Sequence, residues 1–184
     1  MNTKLIFTAI IALTIAFGTD AQTLKTMNNA TENANGQVIK KGKLIYSEIK
    51  INARPDKVWQ ILTNFNDYPQ WNPFIISISG EPIIGKKIHA TIQPIGSSGM
   101  KFNPKVLQFT TNKELRWIGT LGISRIFDGE HTFKLIDNGD GTTSFLQYER
   151  FRGIMVPFAK KMLEVNSLQG FEAMNAKLKE LAEK

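Results

Sequence analysis

The sequence predicts an α+β domain: a curved antiparallel β-sheet of about seven strands wrapped around one long C-terminal helix, with two short helices after the first strand. Three observations predict it. Between Pro73 and Phe151, short β-branched and aromatic runs recur with turn residues between them, at the spacing of an antiparallel meander. From Val156 to Lys184, Leu163, Phe171, Met174, Leu178 and Leu181 fall on one helical stripe. Ahead of the meander, Pro55 opens a segment whose Val58, Trp59, Ile61 and Leu62 make an apolar helical face.

Taken in order, Lys4 and the uncharged run Leu5 to Phe17 read as a secretory signal, followed by small residues at Thr19 and Ala21. The run is shorter than the roughly 20 residues of a spanning helix, so residues 1–21 are expected to be removed after Ala21, and the mature chain to work in a periplasm or outside the cell. Residues 22–41 are polar, Asn-rich and without period, which predicts a flexible lead; the folded domain is expected over 42–184. Leu44 to Ile51 alternate as a first strand, Pro55 to about Asn64 form the first helix, and Tyr68 to Trp71 a second short one. Six strands follow: Phe74 to Ser79, Lys87 to Gln93, Lys101 to Thr110, Glu114 to Thr120, Ile126 to Leu135, and Thr143 to Phe151. The clearest hairpin turn is Asn138-Gly139-Asp140-Gly141. Gly170 lies inside the terminal helix at a cost of about 1 kcal/mol relative to Ala, so a close approach of that helix to a neighbouring backbone is expected there.

Composition narrows the function. A length of 184 residues with 42% hydrophobic and 21% charged residues describes one globular domain with a sizeable core. Zero cysteines exclude a disulfide framework, a thiolate zinc site, an iron–sulfur cluster and a cysteine nucleophile. Two histidines, His89 and His131, are too few for the usual metal sets, so neither metal nor cofactor is expected. No phosphate-binding or dinucleotide fingerprint occurs, and Gly96-Ser97-Ser98-Gly99 lacks the context of a nucleophile elbow and reads as a flexible loop. The net charge of +7 permits attraction to anionic membrane surfaces, while no nucleic-acid partner is expected. Lys160 and Lys161 read as a solvated face. The oligomeric state stays open.

A sheet bent around a helix leaves a gap at its middle, and that gap is the expected ligand site. Parity and helical spacing assign its lining to Trp71, Phe102, Val106, Trp117, Phe127, His131, Phe133, Phe145, Gln147, Glu149, Phe151 and Met162. Trp71 and Trp117 suit either a cavity wall or core filling, and Arg116 and His89 fall on the outer face. Three of the inward residues are polar: His131, Gln147 and Glu149. Closing the hairpin with Phe133 facing Phe145 sets His131 opposite Gln147 and diagonal to Glu149. A buried carboxylate must pair, protonate or bond to a ligand. His131 and Glu149 are therefore a general acid/base pair, a polar anchor for a ligand oxygen, or an internal network that satisfies itself.

Several strings also resemble the START-like superfamily, often called SRPBCC, and within it the polyketide cyclase/dehydrase-like group. They are Ala53-Arg54-Pro55-Asp56-Lys57-Val58-Trp59, Tyr68-Pro69-Gln70-Trp71-Asn72-Pro73-Phe74, Leu115-Arg116-Trp117, Phe127-Asp128-Gly129-Glu130-His131 and Gly170-Phe171-Glu172-Ala173-Met174-Asn175. The resemblance covers about Lys43 to Glu183. It implies a helix-grip fold whose interior pocket takes lipids, sterols, quinones or polyketides, and it implies no single reaction. The expected function is an exported binder or carrier of a hydrophobic small molecule. The alternative is a cofactor-free cyclase, dehydratase or isomerase that uses Glu149 and His131 as its acid/base pair.

Overall fold

The computed structural model describes residues 38–41, 44–94, 98–120 and 123–184. The expected signal segment and most of the lead lie outside these residues, as do Gly96 and Ser97. Five strands follow the predicted pattern closely: β2 (Leu44–Ile51), β3 (Ile75–Ser79), β7 (Glu114–Thr120), β8 (Asp128–Asp137) and β9 (Thr143–Arg152). The helices are α1 (Pro55–Thr63), α2 (Tyr68–Trp71) and α3 (Val156–Ala182). A sixth strand, β4 (His89–Ile92), lies within the expected Lys87 to Gln93; the departures are β1 (Val38–Lys41) and the division of Lys101 to Thr110 into β5 (Met100–Phe102) and β6 (Lys105–Thr110).

Nine strands form among the described residues, in two antiparallel sheets: β1-β2-β9-β8-β7-β6 and β3-β4-β5. The expected count of about seven falls short for two reasons. Val38–Lys41, read as the end of a lead, pair with Leu44–Ser47 as an edge strand, a position that needs partners on one side only. The predicted strand from Lys101 to Thr110 divides at Asn103-Pro104. Proline has no N–H to give a ladder, and here the Pro104 carbonyl instead accepts from Ile88 N at 3.0 Å. The chain thus passes from the small sheet to the large one, and a Lys87–Lys105 bridge ties their edges.

Pro55 starts α1 and places Val58, Trp59 and Leu62 in the core, where Trp59 packs on Phe109 with ring centroids 5.3 Å apart. Helix α3 buries Phe171, Met174, Leu178 and Ala182, a 3.6-residue repeat. Full burial stabilises each of the three large side chains by about 1.5–3 kcal/mol. Gly170 does mark a close approach, but to a side chain: a Cβ there would collide with the Phe74 ring.

The β8–β9 register departs from the expected one by two residues. Leu135, not Phe133, faces Phe145; Phe133 faces Gln147, and His131 faces Glu149 directly. The cause is the turn. Asn138 N–H bonds Thr142 O, Asp137 accepts from Gly139 N, and Asp140 accepts from Thr142 N, which closes a five-residue loop with Gly139 and Gly141 at positive φ. A shift of two preserves parity, so the inward residues stay inward and only their partners change.

Candidate functional site

Antiparallel pairing lines up one residue from each of five large-sheet strands, β2, β9, β8, β7 and β6, in a row across the inner face. One row reads Ile45, Glu149, His131, Trp117, Val106. The next row toward the strand ends reads Phe151, Gly129, Gly119. Two glycines side by side leave the sheet bare there, and beside them lies a cavity of about 270 Å³.

Its walls come from three places. The large sheet contributes Trp117, Gly119, Gly129, His131, Glu149 and Phe151, with Thr120 and Phe127 at the strand ends. The small sheet contributes Phe74, Ile75, Ile92, Pro94, Met100 and Phe102, with Gly99 beside them, and α3 contributes Asn166 and Ser167. Asn72 aims the first of these inward, because its Oδ1 accepts from both Phe74 N (3.0 Å) and Ile75 N (2.8 Å) as the chain leaves α2.

The polar end of the cavity is His131 and Glu149, with Gln147 one row behind them. The His131 ring stacks on Trp117 (5.1 Å, 11°) and meets the edges of Phe133 and Phe171 at 4.6 and 5.1 Å. Its Nε2 lies 3.3 Å from Gln147 Nε2, and its Nδ1 3.8 Å from Glu149 Oε2. One tautomer fits both contacts: the Gln147 amide donates to Nε2, and Nδ1–H points to the Glu149 carboxylate. At 3.8 Å this is an ion-pair distance rather than a hydrogen bond, so the carboxylate keeps acceptor capacity toward the cavity. Gln147 Oε1 is buried without a partner, and Gln147 Nε2 also touches Met174 Sδ. On the same inner face, Asn175 Nδ2 donates to Ser47 Oγ at 2.9 Å.

Charges on the other face of these strands serve one another. Arg116 pairs with Glu114 and Glu130 at 3.2 and 3.4 Å, and Arg152 reaches Glu130 at 3.7 Å. Burial pushes the Arg150 guanidinium below its ordinary value and the Tyr148 phenol above its own. Arg116 therefore lies on the outer face as expected, and His89 is exposed beside Asn103. Among the described residues no three histidine or carboxylate side chains converge for a metal.

Of the twelve expected lining residues, Phe102, Trp117, Phe127, His131, Glu149 and Phe151 line the cavity. Five do not. Trp71 packs edge-on against Tyr68 at 5.0 Å, a phenol that burial holds far above its ordinary value and that donates to Leu62 O. Phe133, Phe145 and Gln147 sit one or two rows deeper, closed over by α3, and Val106 ends the Glu149 row beyond Trp117; all four are core. Met162 lies outside the described side chains. Apart from Phe102, sequence reasoning missed the small-sheet wall, because a single continuous sheet was expected, and it missed Asn166 and Ser167, because the helical stripe was drawn from apolar residues alone. The signal for Gly119 and Gly129 was present, but only strand pairing reveals that they are neighbours.

The model of one protein family, described as polyketide cyclase/dehydrase and lipid transport, matches residues 44–183. The fold is similar to that of a protein from Rhodobacter sphaeroides, with 14% identity, 80% of this chain and 97% of that chain covered, and a TM-score of 0.63. It is similar to a START superfamily protein from Mycobacterium smegmatis, with 18% identity, coverage of 76% and 97%, and a TM-score of 0.60. It is also similar to the di-domain ARO/CYC BexL from the BE-7585A biosynthetic pathway, with 12% identity, coverage of 77% and 50%, and a TM-score of 0.60. These likenesses are of fold, the START-like helix grip. No curated protein sequence matches the chain.

Proposed function

We propose that this chain, which belongs to the polyketide cyclase/dehydrase and lipid transport family, is an exported carrier of one hydrophobic small molecule. The carrying observation is the aromatic-walled cavity of about 270 Å³ with a carboxylate and an imidazole at one end. A ligand here buries its apolar body against Phe74, Phe102, Phe127 and Phe151 and gives a hydroxyl or similar donor to Glu149. The volume is near the low end of the roughly 300–1,000 Å³ typical of small-molecule sites, which favours a ring compound or a single chain over a two-chain lipid. Lys4, the run Leu5 to Phe17 and Ala21 support export with removal of residues 1–21, and residues 22–37 then precede the first strand of the domain. N-terminal sequencing of the purified protein reads that cut.

A second reading, a cofactor-free cyclase, dehydratase or isomerase, is favoured by the 3.8 Å approach of His131 Nδ1 to Glu149 Oε2 on the cavity wall. One experiment separates the two. Protein isolated from its own cell envelope is measured by native mass spectrometry, and the compound released is returned to wild type and to Glu149→Gln. A carrier holds the compound unchanged, and the variant, whose amide oxygen still accepts, loses only about 5-fold in affinity. A catalyst converts it, and the variant loses about 100-fold or more of the rate. Protein that carries and rebinds no apolar compound overturns both.

A further inference from the structure

We propose that the end of the domain beside the cavity is a docking face for an anionic lipid bilayer. Four large apolar side chains stand out there: Phe158 is 83% exposed, Ile154 72%, Ile123 71% and Met155 46%. They come from the turn between β7 and β8 and from the turn that leads from β9 into the first residues of α3. Backbone bonds fasten the two turns together, with Ile154 N donating to Arg125 O (3.2 Å) and Met155 N to Ile126 O (3.1 Å). Gly153 permits the contact: its φ is +127°, and a Cβ there would overlap the Ile126 carbonyl. The buried Asp128 carboxylate accepts from Arg125 N at 2.9 Å and holds Arg125 at φ 73°. Exposed apolar prongs on a braced platform differ from side chains exposed singly, which are ordinary on any surface.

Charge and position choose the occupant. Arg125 is exposed on the first turn, and Arg152, 56% exposed and 3.7 Å from Glu130, precedes the second. Each arginine near an anionic leaflet is worth about 1 kcal/mol, about five-fold in affinity. A symmetric contact between two copies would set arginine against arginine. The platform also adjoins the cavity. Thr120 and Phe127 bracket the first turn and Phe151 precedes the second, and all three line the cavity. A bilayer in contact here meets an apolar ligand at the place where it would enter or leave; that use rests on the carrier reading, whereas the docking face itself rests on the exposed residues alone.

The test is amide hydrogen exchange on the full chain with phosphatidylcholine vesicles, with and without phosphatidylglycerol. Anionic vesicles should slow exchange in 123–126 and 153–158, and raising salt from about 50 to about 500 mM should reverse most of it, because screening shortens the electrostatic reach. The Ile154→Ser/Phe158→Ser variant should lose this protection while its near-ultraviolet dichroism matches wild type. Protection confined to other segments, or equal on neutral vesicles, overturns the proposal. So does the same protection in concentrated protein without vesicles, which would identify a second copy as the occupant. Protection here in a protein that binds no small molecule would sink the carrier reading and leave the docking face standing.

Discussion

Gly129 sets the position of the Glu149 carboxylate, diagonal to it on the neighbouring strand. A Cβ on this residue would lie 2.6 Å from Glu149 Oε1 and 3.4 Å from the Phe151 ring, so any side chain must push Glu149 away from the cavity wall or toward His131. Its neighbour Gly119 is less constrained, since a Cβ there would meet the edge of Phe102 at 3.2 Å, and that ring is only half-buried. The two glycines give a controlled comparison. Gly129→Ala should weaken binding of the co-purified compound by about 10-fold or more, the scale of a displaced hydrogen bond to a charged group. Gly119→Ala should be far milder. Titration calorimetry on both variants checks the difference, and equal losses would show that cavity volume, not the placement of Glu149, controls affinity.

At the scale of elements, Gly170 opposes two effects of known size. Replacing it with Ala should gain about 1 kcal/mol of helix propensity. Against that, the new methyl overlaps the ring of Phe74, which is 2% exposed and already packed edge-on against Phe171 at 5.7 Å. Overpacking costs about 1–3 kcal/mol, and the ring's outlet is into the cavity it lines. Gly170→Ala should therefore lower the melting temperature and weaken ligand binding together, as measured by calorimetry; a rise in stability with unchanged binding would overturn this account. Such elements also mark how far the sequence could be read. Alternation identified the inner face of β7, β8 and β9 correctly, because parity depends only on a residue's own strand. The partners of those residues depended on how the loop at Asn138–Thr142 closes, and the side-chain bonds of Asp137 and Asp140 lengthened it beyond the expected turn. Pro104 was visible as a residue whose missing N–H breaks a ladder, yet its consequence, a second sheet that supplies one wall of the cavity, required knowing where Ile88 would lie. The lining was legible where it followed parity, as in His131 and Glu149, and illegible where it came from juxtaposition, as in Gly119 beside Gly129 or Ser167 above them.

Over the whole molecule, the C-terminal end of the last helix is clasped to the end of β2. Glu183 Oε1 accepts from Asn52 N, 131 residues earlier, at 2.6 Å, and from Lys179 Nζ at 2.6 Å, while Lys179 Nζ also donates to Lys50 O. This clasp fixes the C-terminal end of the same helix that carries Asn166 and Ser167 over the cavity, so closure of the domain and the shape of the site are mechanically linked. The Asn52 N–H first, then the Lys179 hydrogen bond, hold the Glu183 carboxyl below the usual carboxylate value, near 4.3 in unfolded chains. The unfolded chain therefore takes up the proton at higher pH than the folded one. The stabilisation is complete above the unfolded value and is lost as pH falls through the folded one. The carboxylate is partly exposed, and a solvent-screened contact of this kind contributes about 1 kcal/mol at most. Glu183→Ala should thus melt about 2–4 °C below wild type at pH 7, with the gap constant down to about pH 5 and closing toward pH 3. Thermal melts of both proteins across that range read it directly, and a gap that persists unchanged at pH 3 would mean that Glu183 acts through packing rather than through its charge.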